Sequence, residues 1–244
     1  MLIEGRNQVI EAIKNNKTIN KLYVDVNYAH RKDEVIALSK QHKIKVEFLP
    51  KKALDNLSKT GHHQGYIAET VDFEYCEVAD ILEKAKSKNE DAFVVLLDGI
   101  EDPHNLGAII RSCECAGVHG IIIPKMRACQ VNETVVRTSA GAVANMMIAR
   151  VTNLKDAIEE LKENGLWIYS AEVGGDDIYS TNLTGPVGIV IGSEGKGTRE
   201  SVKSHCDKVI SLPLFGSVNS LNASVSAGIV IYEVVRQRLK NGKI

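Results

Sequence analysis

Three short segments carry the residues best able to do chemistry. The first, Asp98-Gly99-Ile100-Glu101-Asp102-Pro103-His104-Asn105-Leu106-Gly107, offers an amide behind a turn and is followed by Arg111. Asp-Pro-x-Asn is a turn-and-cap signal, so Asn105 is expected to cap a helix that carries Arg111 about two turns further on. The second, Gly192-Ser193-Glu194-Gly195-Lys196-Gly197-Thr198, is a glycine loop with a single acid. Its lysine precedes the last glycine, whereas a nucleotide phosphate loop needs Gly-Lys followed directly by Ser or Thr. The third, from Ser211 to Gly228, sets Gly216, Ser217, Asn219, Ser220 and Asn222 before a helix that begins with Ala223 and contains Ala227 and Gly228. Small and amide side chains there can donate and accept hydrogen bonds without bulk, which suits the floor of a ligand site. Taken singly, each segment also fits a plainer role: a capped turn with an exposed arginine, a tight turn, a loop entering a helix.

The elements that must position these segments alternate. An apolar strand at 93–97 is followed by a helix at 105–116 and a strand at 120–123 that Pro124 stops. Further strands are expected at 145–150, 166–171, 187–191 and 208–212, with helical segments between them. Strands apolar on both faces and joined by helices imply an α/β fold with a mostly parallel sheet covered on both sides. Ligands of such sheets sit at the carboxyl ends of the strands. The loops after Leu97, Ile191 and Leu212 are the three segments above.

Residues 1–75 read as a separate αβαβαβ module. It has a helix within 1–15 on Val9, Ile10 and Ile13, a strand at 21–26, a helix at 34–41, a strand at 44–48, a helix at 53–57 and a strand through Tyr66, Ile67 and Ala68. Residues 77–90 are polar, with Lys84, Lys86 and Lys88 crowded together, and read as a linker ending in a helix. The expected division is therefore 1–75, a linker at 76–91, and 92–244.

Composition narrows the function classes. Of 244 residues, 44% are hydrophobic and 25% charged, which is ordinary for a globular chain and excludes a disordered or fibrous one. No apolar run reaches the ~18 residues that span a bilayer, and the N-terminus lacks a signal-peptide core, so a cytoplasmic protein is expected. A net charge of −1 does not announce a nucleic-acid partner, and residues 1–75 are only slightly basic, with twelve Lys and Arg against ten acids. The five cysteines form no Cys-x-x-Cys pair. Cys113 and Cys115 would point apart on a helix, so reduced thiols and no metal site are expected. Without a secretory signal the Asn222-Ala223-Ser224 sequon is coincidental. No Gly-x-Gly-x-x-Gly follows the first strand of either unit, so an ordinary dinucleotide site is unsupported.

In order and spacing the three segments resemble the motifs of the SpoU (TrmH) family of RNA ribose 2′-O-methyltransferases. The resemblance runs from Asn105 to Arg236, through Asn105-Leu106-Gly107 with Arg111, Ile191-Gly192-Ser193-Glu194-Gly195, and Ser220-Leu221-Asn222-Ala223-Ser224-Val225-Ser226. Gly5-Arg6-Asn7-x-Val9 and His63-Gln64-Gly65 further resemble the substrate-binding domain of the subfamily acting on guanosine of large-subunit (23S) rRNA.

The resemblance implies a trefoil-knotted SPOUT methyltransferase domain, one of the rare exceptions to unknotted connectivity, preceded by a small L30e-like substrate-binding domain. It also implies a homodimer with the active site near the subunit interface. S-adenosylmethionine would lie on backbone groups at Gly192, Leu212 and Leu221, with glycine at 192 leaving room for the adenine. Asn105, Arg111, Glu194, Ser220 and Asn222 would form the catalytic set. A guanidinium is always protonated, so Arg111 is expected to pair with the ribose phosphate and the developing alkoxide instead of removing a proton. In the N-terminal module Arg6, Lys43, Lys45, Lys51 and Lys52 would meet phosphates, and His63 and Gln64 a base edge. A tRNA ribose methyltransferase shares the catalytic motifs, and a non-catalytic RNA-binding or ribosome-assembly protein could keep the fold; the intact five-residue set argues against the latter.

Overall fold

The structure is a computed structural model that describes residues 2–15, 17–29, 33–70 and 73–242. The chain divides into two compact units, Met1–Phe73 with Val131–Glu133, and Glu74–Gln130 with Thr134–Ile244.

The first unit holds β1 (Leu2–Glu4), α1 (Arg6–Lys14), β2 (Ile19–Asp25), α2 (Glu34–Gln41), β3 (Val46–Leu49), α3 (Lys51–Leu57) and β4 (Tyr66–Thr70). Its sheet has the order β1-β4-β2-β3, with β4 antiparallel to both neighbours and β2 parallel to β3. The sequence reading placed a helix within 1–15 and no strand before it. Gly5, at φ 96° and ψ 146°, turns β1 into α1 without a loop, a conformation that glycine alone adopts cheaply. The apolar face of α1, Val9, Ile10 and Ile13, is buried with Leu22, Val24 and Val35.

Buried Glu4 ends β1 and organises the loop after α3. Its carboxylate accepts from Ser58 Oγ, Lys59 N at 2.7 Å, Thr60 N at 3.3 Å and Thr60 Oγ1. Burial opposes its ionisation, but the hydrogen bonds from Ser58, Thr60 and the two amides outweigh that and pull its pKa down to about 2.

The second unit comprises α4 (Val78–Ser87), β5 (Phe93–Asp98), α5 (Pro103–Cys115), β6 (Gly120–Pro124), α6 (Glu133–Thr138), β7 (Met147–Val151), α7 (Leu154–Glu163), β8 (Trp167–Asp177), β9 (Val187–Gly192), α8 (Glu200–Lys203), β10 (Lys208–Ser211) and α9 (Ala223–Lys240). Its six-stranded sheet runs β10-β8-β9-β5-β6-β7, and each pairing is parallel. Every residue of β5 and β6 is buried, which is what a strand covered by helices on both faces requires.

Two expectations change here. Residues 77–90, expected as a linker ending in a helix, form α4 almost throughout, opened by a Glu77–Asp80 capping box. Val78 and Ile81 join the core of the second unit, and Gly120 leaves the room that Ile81 fills. Nor does Asn105 cap α5. Asp102 does so, accepting from His104 N at 3.0 Å, with Pro103 in the first turn, and Asn105 follows within that turn.

β8 is longer than the sequence suggested and leaves the ladder midway. Val209 of β10 pairs with Ser170, but the next residue, Ile210, pairs with Asp176. The residues between, 171–175, bow out of register, and Gly175 lies so close to the Val209 carbonyl that a Cβ would come within 2.6 Å of it. Beyond β10, at the sheet edge, the chain returns to place α9 against α5 and β9. The small residues of α9 serve this return: Ala223 and Ala227 are buried, and Gly228 faces Ser112 of α5. They pack within the chain.

Candidate active site

The three polar segments converge at the carboxyl end of the sheet. Oε1 of Glu194 accepts from Asn105 Nδ2 at 3.0 Å, from Ala223 N at 3.2 Å and from Asn222 Nδ2. Asn222 Nδ2 also reaches Asn105 Oδ1 at 3.0 Å. The other end of the Asn222 amide caps α9, its Oδ1 accepting from Ser224 N at 3.0 Å and Val225 N at 3.3 Å. One carboxylate oxygen thus ties the first turns of α5 and α9 to the loop after β9, at helix ends whose dipoles favour negative charge. Among the described residues no donor reaches Glu194 Oε2.

Beside this node is a cavity of about 580 Å³. Ile191, Ile210, Leu212, Leu221 and Val230 give it apolar walls, and Gly192 with the 193–197 loop supplies backbone polar groups. Both size and lining match a site for a small organic cofactor. Ser220 lines it as well.

Glycine is required at 192 for a reason other than the one anticipated. A Cβ there would lie 2.2 Å from the Gly197 carbonyl carbon and from Thr198 N, because the loop folds back over its own start. Ser193 and Gly197 close it by exchanging backbone hydrogen bonds, at 3.1 and 2.9 Å.

Two carboxylates hold the returning strand of the loop. Asp98, at the end of β5 and opposite Gly192 in register, is 1% exposed. Its Oδ2 accepts from Arg199 N at 2.8 Å, while its Oδ1 takes Arg199 Nε at 2.8 Å and Nη2 at 2.7 Å. On the other side, Glu172 of β8 accepts from Thr198 N at 2.6 Å and faces Lys203 Nζ at 3.5 Å. Ser170 Oγ donates to Thr198 Oγ1 at 3.0 Å. The sequence reading passed over Asp98, Glu172, Thr198 and Arg199. An acid closing the otherwise apolar run of β5 was the available signal.

Of the anticipated residues, then, Gly192, Glu194, Leu212, Ser220 and Leu221 line the cavity, and Asn105 and Asn222 join it through Glu194. Arg111 stands exposed on α5, with no ion pair or hydrogen bond of its side chain among the described residues.

The RNA-facing candidates of the first unit separate into two groups. Arg6 is drawn into ion pairs with Asp33 at 3.6 Å and Glu34 at 3.8 Å, so its charge is largely answered within the chain. His63 is buried with both ring nitrogens engaged, by Asp55 Oδ1 at 2.9 Å and Gly65 N at 3.0 Å. It holds its loop and cannot offer a base edge. Gln64, exposed at φ 51°, accepts from Arg6 N at 3.2 Å. Lys43, Lys45, Lys51 and Lys52 are exposed.

All five cysteines are free thiols, and burial pushes those of Cys76 and Cys206 up to about 11 and about 12. Among the described residues no group of three or more His, Cys, Asp or Glu side chains could hold a metal ion, and no helix is long and apolar enough to cross a membrane.

A parallel α/β sheet with a cofactor-sized cavity at its carboxyl end, lined by the glycine and amide loops and by the returning C-terminal helix, defines a class of α/β proteins whose ligand site is built from loops. Within that class the chain belongs to the SpoU rRNA Methylase family, which matches residues 92–232, and it is a methyltransferase. Residues 2–76 match the RNA 2′-O ribose methyltransferase substrate-binding family. A Bacillus subtilis protein, YacO, assigned to the TrmH family of tRNA/rRNA methyltransferases, is 43% identical over 236 residues, covering 96% of this chain and 94% of that one. A Staphylococcus saprophyticus protein so assigned is 42% identical, covering 98% and 96%. Among solved structures, the SpoU methyltransferase AviRb of Streptomyces viridochromogenes in complex with AdoMet is similar, with a TM-score of 0.63 and 25% identity over 98% of this chain and 91% of that one. An AdoMet-bound rRNA methyltransferase of Sinorhizobium meliloti has a TM-score of 0.61 and 26% identity, covering 96% and 86%.

Proposed function

We propose that the chain transfers the methyl group of S-adenosylmethionine to a ribose 2′-hydroxyl of RNA, and that the acceptor is a guanosine of large-subunit rRNA. The observation that carries this reading is the Glu194 node, which brings three separate motifs to the mouth of a cofactor-sized cavity. The cavity fits such a donor: its apolar walls suit an adenine, and the backbone of the 193–197 loop offers hydrogen-bond partners. Gly192, Leu212 and Leu221 would hold it. When bound it supplies an activated methyl group on a sulfonium.

The remaining task falls to the chain's own side chains. A ribose hydroxyl is a weak nucleophile near neutral pH and must be aligned and relieved of its proton. Ser220, which lines the cavity, and Asn222, which Asn105 and Glu194 fix, are the residues proposed to orient the ribose. Arg111, exposed and unpaired among the described residues, is available to the ribose phosphate and to charge developing on the oxygen. A phosphate oxygen or a water then accepts the proton. Near-normal turnover in Arg111→Lys would remove the case for a forked guanidinium contact. Lost turnover with normal donor binding in Glu194→Gln would give Glu194 a chemical role beyond holding the node.

Residues 1–75 are proposed as the RNA-gripping domain and 92–244 as the catalytic one. Lys43, Lys45, Lys51 and Lys52 remain candidate phosphate contacts, and Gln64 a base contact. We also infer a homodimer working in the cytoplasm, with the threading of a trefoil knot in the return from β10 to α9. Val225, Ile229 and Tyr232 make an apolar stripe on α9 that is 50%, 38% and 50% exposed, a face suited to a second copy.

Labelled methyl transfer from S-adenosylmethionine to purified rRNA and tRNA, followed by mapping of the modified nucleotide, tests the reading. Modification of a large-subunit rRNA ribose supports it. Transfer to tRNA alone would replace the substrate, and no transfer to either would leave a non-catalytic RNA-binding protein.

A further inference from the structure

The loop that carries Glu194 is held in an unusual way. It leaves β9 at Gly192 and returns across that residue, so that Gly197 and Thr198 lie where a Cβ would be. Two consecutive amides of the return, Thr198 N and Arg199 N, are then given to two carboxylates. Those carboxylates come from the two strands that flank β9. Asp98 stands opposite Gly192 on β5, and Glu172 follows Ala171, which stands opposite Ile191 on β8.

We propose that Asp98 and Glu172 are positioning residues for methyl transfer: together they clamp the 193–199 loop so that Glu194 meets Asn105 and Asn222 and the cavity wall keeps its shape. The inference rests on the methyltransfer reading above and concerns how its site is held.

The chemistry explains why acids occupy these places. A backbone amide held by a charged acceptor is a stronger and more directional tether than one held by a carbonyl. Asp98 is buried, so its charge must be answered, and the forked guanidinium of Arg199 does this from solvent, at 49% side-chain exposure. Glu172, at 16% side-chain exposure, has a looser counterpart in Lys203, whose Nζ lies 3.5 Å away and 2.7 Å from Glu200. Each clamp is therefore a carboxylate that accepts a loop amide and faces a cation. The tip, Glu194-Gly195-Lys196, takes no part in the clamps and is left to the site. Displacing a reacting group by about 1 Å costs on the order of 10²-fold in rate, so a loosened return strand would be felt at Glu194 although neither acid touches the acceptor.

A double-mutant cycle on the full chain tests this. Asp98→Asn is expected to lower kcat at least tenfold and to weaken S-adenosylmethionine binding severalfold. In a Glu194→Gln background the same change should lower kcat less than twofold further, because residues acting through one another do not add. Full additivity of the two losses would overturn the proposal. Glu172→Gln and Arg199→Lys carry the same cycle if Asp98→Asn does not fold, which circular dichroism and the melting temperature will show. Should the wild-type chain transfer no methyl group to any RNA, the function proposed above fails. The clamp is then decided by calorimetry with S-adenosylmethionine alone: severalfold weaker binding in Glu172→Gln and Arg199→Lys supports it, and unchanged affinity in both overturns it.

Discussion

Two loops in this chain are built around carboxylates, and they are built to different ends. In the first unit Glu4 lies beneath the loop at 58–60 and gathers two hydroxyls and two amides, with no ion pair among the described residues. In the second unit Asp98 and Glu172 hold the 193–199 loop from its flanks, each backed by a cation. The first arrangement holds the turn itself, and His63 beyond it is fixed in turn by Asp55 and the Gly65 amide. The second pins the return strand and frees the tip, where a third carboxylate, Glu194, is presented. The same functional group serves as an anchor when neutral donors surround it from one side, and as a presenter when it is one of two flanking ties.

This comparison can be broken experimentally. The largest effect is expected at the presented end: Asn222→Ala removes the α9 cap and the partner of Glu194, and activity should fall on the order of 10²-fold, measured as kcat under saturating donor. Next, Gly192→Ala sets a methyl group against the returning backbone. A loss of about 1–3 kcal/mol in chemical denaturation is expected from such overpacking, together with loss of donor binding by calorimetry.

At the anchored end, Glu4→Gln should cost about 1–3 kcal/mol through hydroxyls and amides left short of an acceptor, with donor affinity unchanged. Its pH dependence carries a sign. Because the folded pKa, about 2, lies below the ordinary 4.5, the stabilisation by Glu4 is fully present above pH 4.5 and is lost as pH falls toward 2. Acid unfolding curves of wild type and Glu4→Gln should therefore converge in that window, and parallel curves would refute the anchor. The smallest effect is expected from Arg6→Ala. Its half-exposed ion pairs are worth less than about 1 kcal/mol, and since Asp33 and Glu34 already answer its charge, RNA affinity should change less than twofold in a filter-binding titration.

Much of the site was legible because its parts are local in sequence. The apolar runs of β5, β6 and β9 and the glycine and amide loops after β5, β9 and β10 mark a parallel sheet and its ligand end, and the family motifs singled out Asn105, Glu194 and Asn222. What escaped depends on distant pairing. Nothing around Asp98 announces that its donors lie a hundred residues on, at Arg199. Asn105 was given the cap because it fits one, yet Asp102 stands immediately before Pro103 and takes it. Helix α4 hid behind its lysines: Val78, Ile81 and Ala85 make its buried face, but half-buried Lys84 and exposed Lys86 and Lys88 dominate the composition. His63 looked available because a sequence shows neither Asp55 nor the Gly65 amide beside it.

The bowed stretch of β8, residues 171–175, has a further consequence. Ladder pairing with β10 resumes at Asp176 as though the intervening residues were absent. The sheet is thus indifferent to how long this detour is, whereas the cavity, walled by Ala171, Glu172 and Val173, is not. A residue added at Val173-Gly174 is expected to alter the chamber and leave the pairing of β8 with β10 in place. Evolution or a protein engineer can thereby retune which donor analogue is admitted without renegotiating the fold.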